Sequence, residues 1–221
     1  MKKIVLIICA VTTSIFANAQ SEMEKKITTS TCNCIGSKPI TEKFMEETFG
    51  ECMGNAFGEL EADLEVEATA RGLQTEEQME EFGRELGSNV TLQLISECDL
   101  FYKEMAKLRA ASVADLKDDS AMIIIADMNK TPEAKRNDLF YCKRGAQYFY
   151  NGDFKNAAAD FHKVNFIPAE QKTFLVLRAQ SYEFNKEYPL AITTYEDLIK
   201  QSGSSEFKII LALLKKQASI K

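Results

Sequence analysis

A single histidine, His162, serves the whole 221-residue chain. A Cys/His catalytic pair or a His-ligated zinc centre would therefore rest on it entirely. Its neighbours are those of a packing helix, which makes it an ordinary surface or half-buried residue. Also missing are a Gly-rich phosphate loop, a Ser nucleophile elbow and a His-Glu-x-x-His pair. The expectation is a protein that is not an enzyme and that uses no cofactor or metal. No run of 18 consecutive apolar residues occurs, so no membrane insertion is expected once a leader is removed. Basic clusters are absent while acidic residues are in excess, which argues against nucleic acid or an anionic membrane as partner. The acidic runs Glu59–Glu67 and Glu76–Glu81 fit solvated helix faces.

The first twenty residues have the pattern of an export signal. Lys2 and Lys3 supply the positive start, Ile4 to Val11 an apolar core too short to span a bilayer, and Ala17-Asn18-Ala19 a small-x-small cleavage site. Cys9 follows Ile8, where a lipoprotein would need a small residue. Cleavage after Ala19 leaves a protein beginning at Gln20, periplasmic or secreted, with 25 basic and 33 acidic residues and a net charge of −8.

Five cysteines remain, and an oxidising compartment pairs those within reach. Cys32, Cys34, Cys52 and Cys98 fall before residue 100 and predict two disulfides, with Cys142 left over. The Cys-x-Cys spacing suits a four-cysteine zinc site poorly. Three pairings are open. One joins Cys52 to Cys98 and closes a small Cys32–Cys34 ring; the other two cross, and are preferred because long-loop bridges stabilise more.

The second half repeats itself. A shift of 34 residues places Arg144 on Arg178, Gly145 on Ala179, Tyr148 on Tyr182, Phe154 on Tyr188, Ala157 on Ala191 and Phe161 on Tyr195. Small residues stand where paired helices cross, and aromatics fill the groove between neighbours. Asn151-Gly152-Asp153 and Asn185-Lys186-Glu187 supply the turns. Over residues 138–205 this pattern resembles the tetratricopeptide family, whose period is 34. It departs from the family in carrying Arg at a usually apolar position of both repeats and Gly203 for a terminal Pro. Phe207, Ile210, Leu211 and Leu214 then form the stripe of a capping helix. Thr131-Pro132 predicts a long first repeat helix starting at 132, onto which Ala121 to Met128 packs.

The resemblance implies a concave groove lined by the first helix of each repeat. Those positions are Leu139, Cys142, Ala146, Phe149 and Tyr150, then Thr173, Val176, Gln180, Glu183 and Phe184. Such a surface suits an amphipathic helix or an extended apolar peptide, unless the chain's own N-terminal helices cover Phe149, Tyr150 and Phe184.

In the first half, residues 22–36 predict a short helix. Thr41 caps a second, with the stripe Met45, Phe49, Cys52, Ala56, Leu60 and Leu64, ending near Gly72. A capping box at Thr75-Glu76-Glu77-Gln78 opens a third that runs through Met79, Phe82, Leu86, Val90, Leu94, Cys98, Phe101, Met105 and Leu108. Glycines at four-residue spacing (Gly50, Gly54, Gly58, then Gly83, Gly87) predict a ridge of close helix approach, or a break near residue 58. This half resembles a Cys-x-Cys helical module of exported bacterial proteins of unknown role, which implies nothing about function.

The expected protein is all-α: a signal peptide over 1–19, a disulfide-stapled helical unit over 20–118, and two tetratricopeptide hairpins with a capping helix over 119–221. Its expected activity is binding a protein or peptide in the bacterial envelope. The alternatives are a thiol-disulfide protein using Cys32 and Cys34, although no thioredoxin-like βαβ pattern surrounds them, or a purely structural helical protein. Expression in a Gram-negative host should yield a mature chain whose intact mass corresponds to a start at Gln20; retention of the first nineteen residues would refute the leader.

Overall fold

The computed structural model describes residues 22–220; the leader and its cleavage site lie outside them. All regular structure among the described residues is helical. No helix there is long and apolar enough to cross a membrane. The chain forms two compact units that meet between Glu104 and Met105.

In the first unit, helix α1 covers 22–37 and buries Met23, Ile27, Thr31 and Ile35 at steps of about one turn. A π-helical turn, Phe44–Phe49, then leads into α2, Gly50–Glu59. Thr41 does not cap this helix; its hydroxyl donates to the Glu47 carboxylate instead. The wider π winding, in which the Gly50 N–H donates to the Met45 carbonyl, rotates the stripe. Phe44 and Thr48 are buried and Met45 is exposed, and only from Cys52 and Ala56 onward does the expected register hold.

Leu60 (φ −112°, ψ 15°) breaks α2 from α3, Glu61–Ala70, whose end is closed by Gly72 at φ 70°. The glycine ridge is not a zone of close approach. A Cβ built at Gly54, Gly58, Gly83 or Gly87 meets no atom within 4 Å among the described residues.

The capping box forms as expected, with the Gln78 N–H donating to Thr75 Oγ1 and the Thr75 N–H to Gln78 Oε1, both at 3.2 Å. It opens α4, Glu76–Glu97, which buries Phe82, Leu86, Val90, Leu94 and Ile95. The predicted third helix is not continuous. Cys98 adopts extended backbone (φ −109°, ψ 96°) and separates α4 from α5, Asp99–Ala114.

Two disulfides close this unit in a crossed arrangement: Cys32 with Cys98, and Cys34 with Cys52. They tie α1 to the α4–α5 junction and to α2, while Phe101 packs on Phe49 and Phe44 at 4.9 and 6.1 Å between centroids. The buried Glu24 carboxylate accepts from Asn89 (2.8 Å) and Gln93 (3.1 Å).

The second unit contains the rest of α5 and six further helices. They are α6 (Ala121–Met128), α7 (Asp138–Tyr150), α8 (Phe154–Phe161), α9 (Lys172–Phe184), α10 (Tyr188–Ser202) and α11 (Ser205–Ser219). The hairpin α7–α8 recurs as α9–α10 with an offset of 34 residues, both first helices running thirteen residues.

The first hairpin does not begin at 132. A 3-10 turn occupies Glu133–Lys135, Arg136 is extended, and Asn137 caps α7 by accepting from the Phe140 N–H at 2.9 Å. The Arg136 guanidinium holds this turn through the carbonyls of Thr131 and Asn129.

At the crossing of the hairpin, a Cβ on Gly145 would lie 3.1 Å from the Phe161 ring. Ala157, Ala179 and Ala191 are likewise fully buried, with Phe161, Tyr195 and Leu198. Left-handed turns stand at Gly152 (φ 78°) and, one repeat on, at Lys186 (φ 65°). The capping helix α11 closes the array with Ile210, Leu213 and Leu214.

Chain-entropy arguments assign about 4 kcal/mol to a loop of 66 residues and about 3 kcal/mol to one of 18. Removing Cys32–Cys98 as a Ser/Ser pair should therefore cost about 1 kcal/mol more than removing Cys34–Cys52. Urea titrations of the two double variants measure the difference, and the reverse order would contradict it.

Candidate functional site

The first helix of each hairpin presents one face whose residues do not share a single environment. On α7, Cys142, Ala146 and Phe149 are buried, Tyr150 is half-buried and Leu139 is exposed. On α9, Gln180 and Glu183 are buried, Val176 and Phe184 are half-buried, and Thr173 is exposed. Some line one of two clefts, some lie in the interior, and Leu139 and Val176 do neither.

One cleft, of about 300 Å³, is open and almost wholly apolar. It gathers Ala146, Gln147 and Tyr150 of α7 with Thr173, Phe174 and Leu177 of α9, and adds Ile124 and Met128 of α6 and a rim lysine, Lys143. Helix α6 is apolar nearly all round, yet only Ala121 and Ile125 are buried. Met122 (53 % exposed) and Ile123 (74 %) face outward beside this cleft. A short helix apolar on every side is normally covered on every side.

The other cleft, of about 410 Å³, holds Phe149 and Phe184 together with Phe154, and it is roofed by Ala110, Val113 and Ala114 of α5. The aromatic end of the expected groove is thus covered by the chain itself. Arg109 anchors the cover. Its Nε and Nη2 donate to the two Glu183 oxygens at 3.3 and 3.1 Å, and Nη2 also donates to the Tyr195 hydroxyl at 3.0 Å. Tyr195 in turn donates to Glu183 Oε2 at 2.7 Å. Burial, reinforced by the Glu183 charge, pushes the Tyr195 phenol well above its ordinary range, so it remains a donor. The guanidinium also lies 5.6 Å from the Phe184 ring centroid.

Cys142, Leu139, Val176 and Gln180 line neither cleft. Cys142 is the free cysteine among the described residues and is sealed in the core. Cys32 and Cys34 are bonded to different partners, so they form no Cys-x-Cys ring. His162 is about half-exposed, bonds the Glu187 carboxylate at 2.7 Å and packs on the Tyr182 ring. No group of three or more His, Cys, Asp or Glu side chains placed to hold a metal occurs among the described residues.

The arginines that depart from the tetratricopeptide pattern behave differently in the two hairpins. Arg144 grips Asp160 through two bonds of 2.7 Å and reaches Asn129 Oδ1 with a third. Both partners of the ion pair are buried, and the hydrogen bonds that Arg144 donates to Asp160 raise its pKa further. One repeat on, Thr194 stands in the place of Asp160, its hydroxyl turned back to the Leu190 carbonyl. Arg178 Nε is consequently buried with no hydrogen-bond partner among the described residues.

Burial first, then the charge of Asp138, lifts the Cys142 thiol from 9.0 to about 11, with Arg178 pulling partly the other way. A thiol that ionises later in the folded state loses stability as pH rises, here between about 9 and about 11, because the unfolded chain gives up its proton first. Replacing Cys142 by Ala should flatten that decline in denaturant titrations, and a thiol reagent at neutral pH should label Cys142 only after unfolding. No protein-family model matches the chain, and comparisons with curated proteins and with solved structures find no match.

Proposed function

We propose that the chain is an exported scaffold of the tetratricopeptide type that binds a protein or peptide in the bacterial envelope. The period of its hairpins supports the type, and two disulfides suit an oxidising compartment. The observation that carries the binding reading is the open cleft of α6, α7 and α9. It presents Ile124, Tyr150, Phe174 and Leu177 to an incoming apolar side chain, and Met122 and Ile123 extend the same surface outward. Exposed apolar side chains gathered beside a concave site mark interaction surfaces. An amphipathic helix or extended segment laid along α6 would cover both.

Because Met122 and Ile123 are exposed, their replacement should leave the fold intact. Met122→Asp with Ile123→Asp should lower recovery of the bound envelope partner by tenfold or more, the range of an interface anchor. Leu190→Asp, an exposed change on α10, should leave recovery unchanged. Equal recovery by wild type and by the folded α6 variant in quantitative affinity capture would refute the reading.

A further inference from the structure

The face of α7 and α9 beneath α5 is covered, but it is covered poorly. From Met105 onward half of the α5 residues are exposed, and among residues 105–114 only Val113 is buried. The side chains it sets against the groove at helical spacing are Ala106, Ala110, Val113 and Ala114. Opposite them stand Phe149, Phe154 and Phe184. Small residues over large rings leave space: about 410 Å³ at Ala110, Val113 and Ala114, and a further 200 Å³ or so at Ala106 and Ala110. Both are open clefts along the helix, so the rings beneath it lack the close cover that a packed interior gives.

What holds the helix in place is polar. The Arg109 side chain is 16 % exposed and Glu183 is 8 % exposed, and their double hydrogen bond is completed by Tyr195. A carboxylate buried at the floor of an apolar groove requires a cation opposite it, and α5 supplies one with little apolar contact besides.

We propose that this face is a helix-binding groove closed by its own α5, with Arg109 as the latch. The ligand it fits is an amphipathic helix that carries an arginine for Glu183 and Tyr195, and large apolar residues where α5 has Ala110 and Ala114. Such a helix repeats the polar contact and fills the space that the alanines leave. The covalently attached α5 competes at high effective concentration, so the groove opens to a ligand in trans when the latch weakens. This extends the binding reading from the open cleft to a second face. The two are tested on different residues and with different probes, so either can fail while the other stands.

The probe is a labelled synthetic peptide of residues 105–117 carrying Ala110→Leu and Ala114→Leu. Fluorescence anisotropy with the purified full chain should show at least tenfold tighter binding to Arg109→Ala than to wild type. The same peptide with its own Arg109→Ala change should bind at least tenfold more weakly, which tests the Glu183 contact without altering the protein. Hydrogen exchange of the Arg109→Ala chain should rise over 105–114 while α9 and α10 keep their protection. Absence of peptide binding, equal affinity for the two chains, or indifference to the peptide's arginine overturns the proposal. So does loss of protection throughout α9 and α10, because α5 would then be a member of the hairpin fold and not its cover.

Discussion

The second unit rests on one close approach, the seating of the Phe161 ring against Gly145, where a methyl group would come within 3.1 Å of a ring carbon. Helices of eight to fifteen residues gain little from their own backbone bonds in water, and survive by burying a face. Here α7 and α8 come near enough for a ring of one to rest on the backbone of the other. One repeat further on, Ala179 and Tyr195 hold the same stations, both fully buried. The positions of the exposed first-helix faces, and hence of both clefts, follow from that spacing.

Much of this was visible in the residues, for a physical reason. A residue small enough to permit contact and the aromatic that uses the space recur together, and the recurrence at 34 predicts both the hairpins and their offset. Residues 205–219 announced the closing helix in the same way, through an apolar stripe of helical period. The break at Leu60 falls beside the one that the glycines offered near residue 58, whereas the break at Cys98 was hidden because the apolar stripe does not stop there. Leu60 and Cys98 are apolar residues in register with their neighbours, and it is the backbone at each that turns aside. The π turn at Phe44–Phe49 shifts the buried set by one residue, which periodicity at 3.6 cannot anticipate. The disulfide pairing depended on where α1 lies, and spacing alone left three choices.

The candidate site was half legible. Ala146 and Tyr150 on α7 and Thr173 on α9 do line an open cleft, whereas Cys142 and Glu183 have passed into the interior. The contribution of α6 was foreshadowed by its composition, since eight residues with one charge among them need cover. Cover of Phe149 and Phe184 by the chain's own N-terminal helices was one of the two readings open from the residues, but nothing marked α5 as the helix that supplies it. Alanines carry almost no amphipathic signal, and the ion pair that anchors the helix joins residues 74 apart in sequence. Contacts of that kind are a property of the assembled fold and have no local pattern to betray them.

The unequal arginines bear on how the unit assembles. Two hairpins with nearly the same pattern invite mispairing, in which a segment docks one repeat out of place and buries comparable apolar surface. Arg144 and Asp160 belong to the same hairpin, and in the second hairpin threonine, Thr194, stands at the station of Asp160. A chain slipped by 34 residues would set Asp160 against Arg178 and leave the buried Arg144 guanidinium without its carboxylate. The buried pair thus favours the native register, because the guanidinium that it leaves without a carboxylate, that of Arg178, is the less buried of the two.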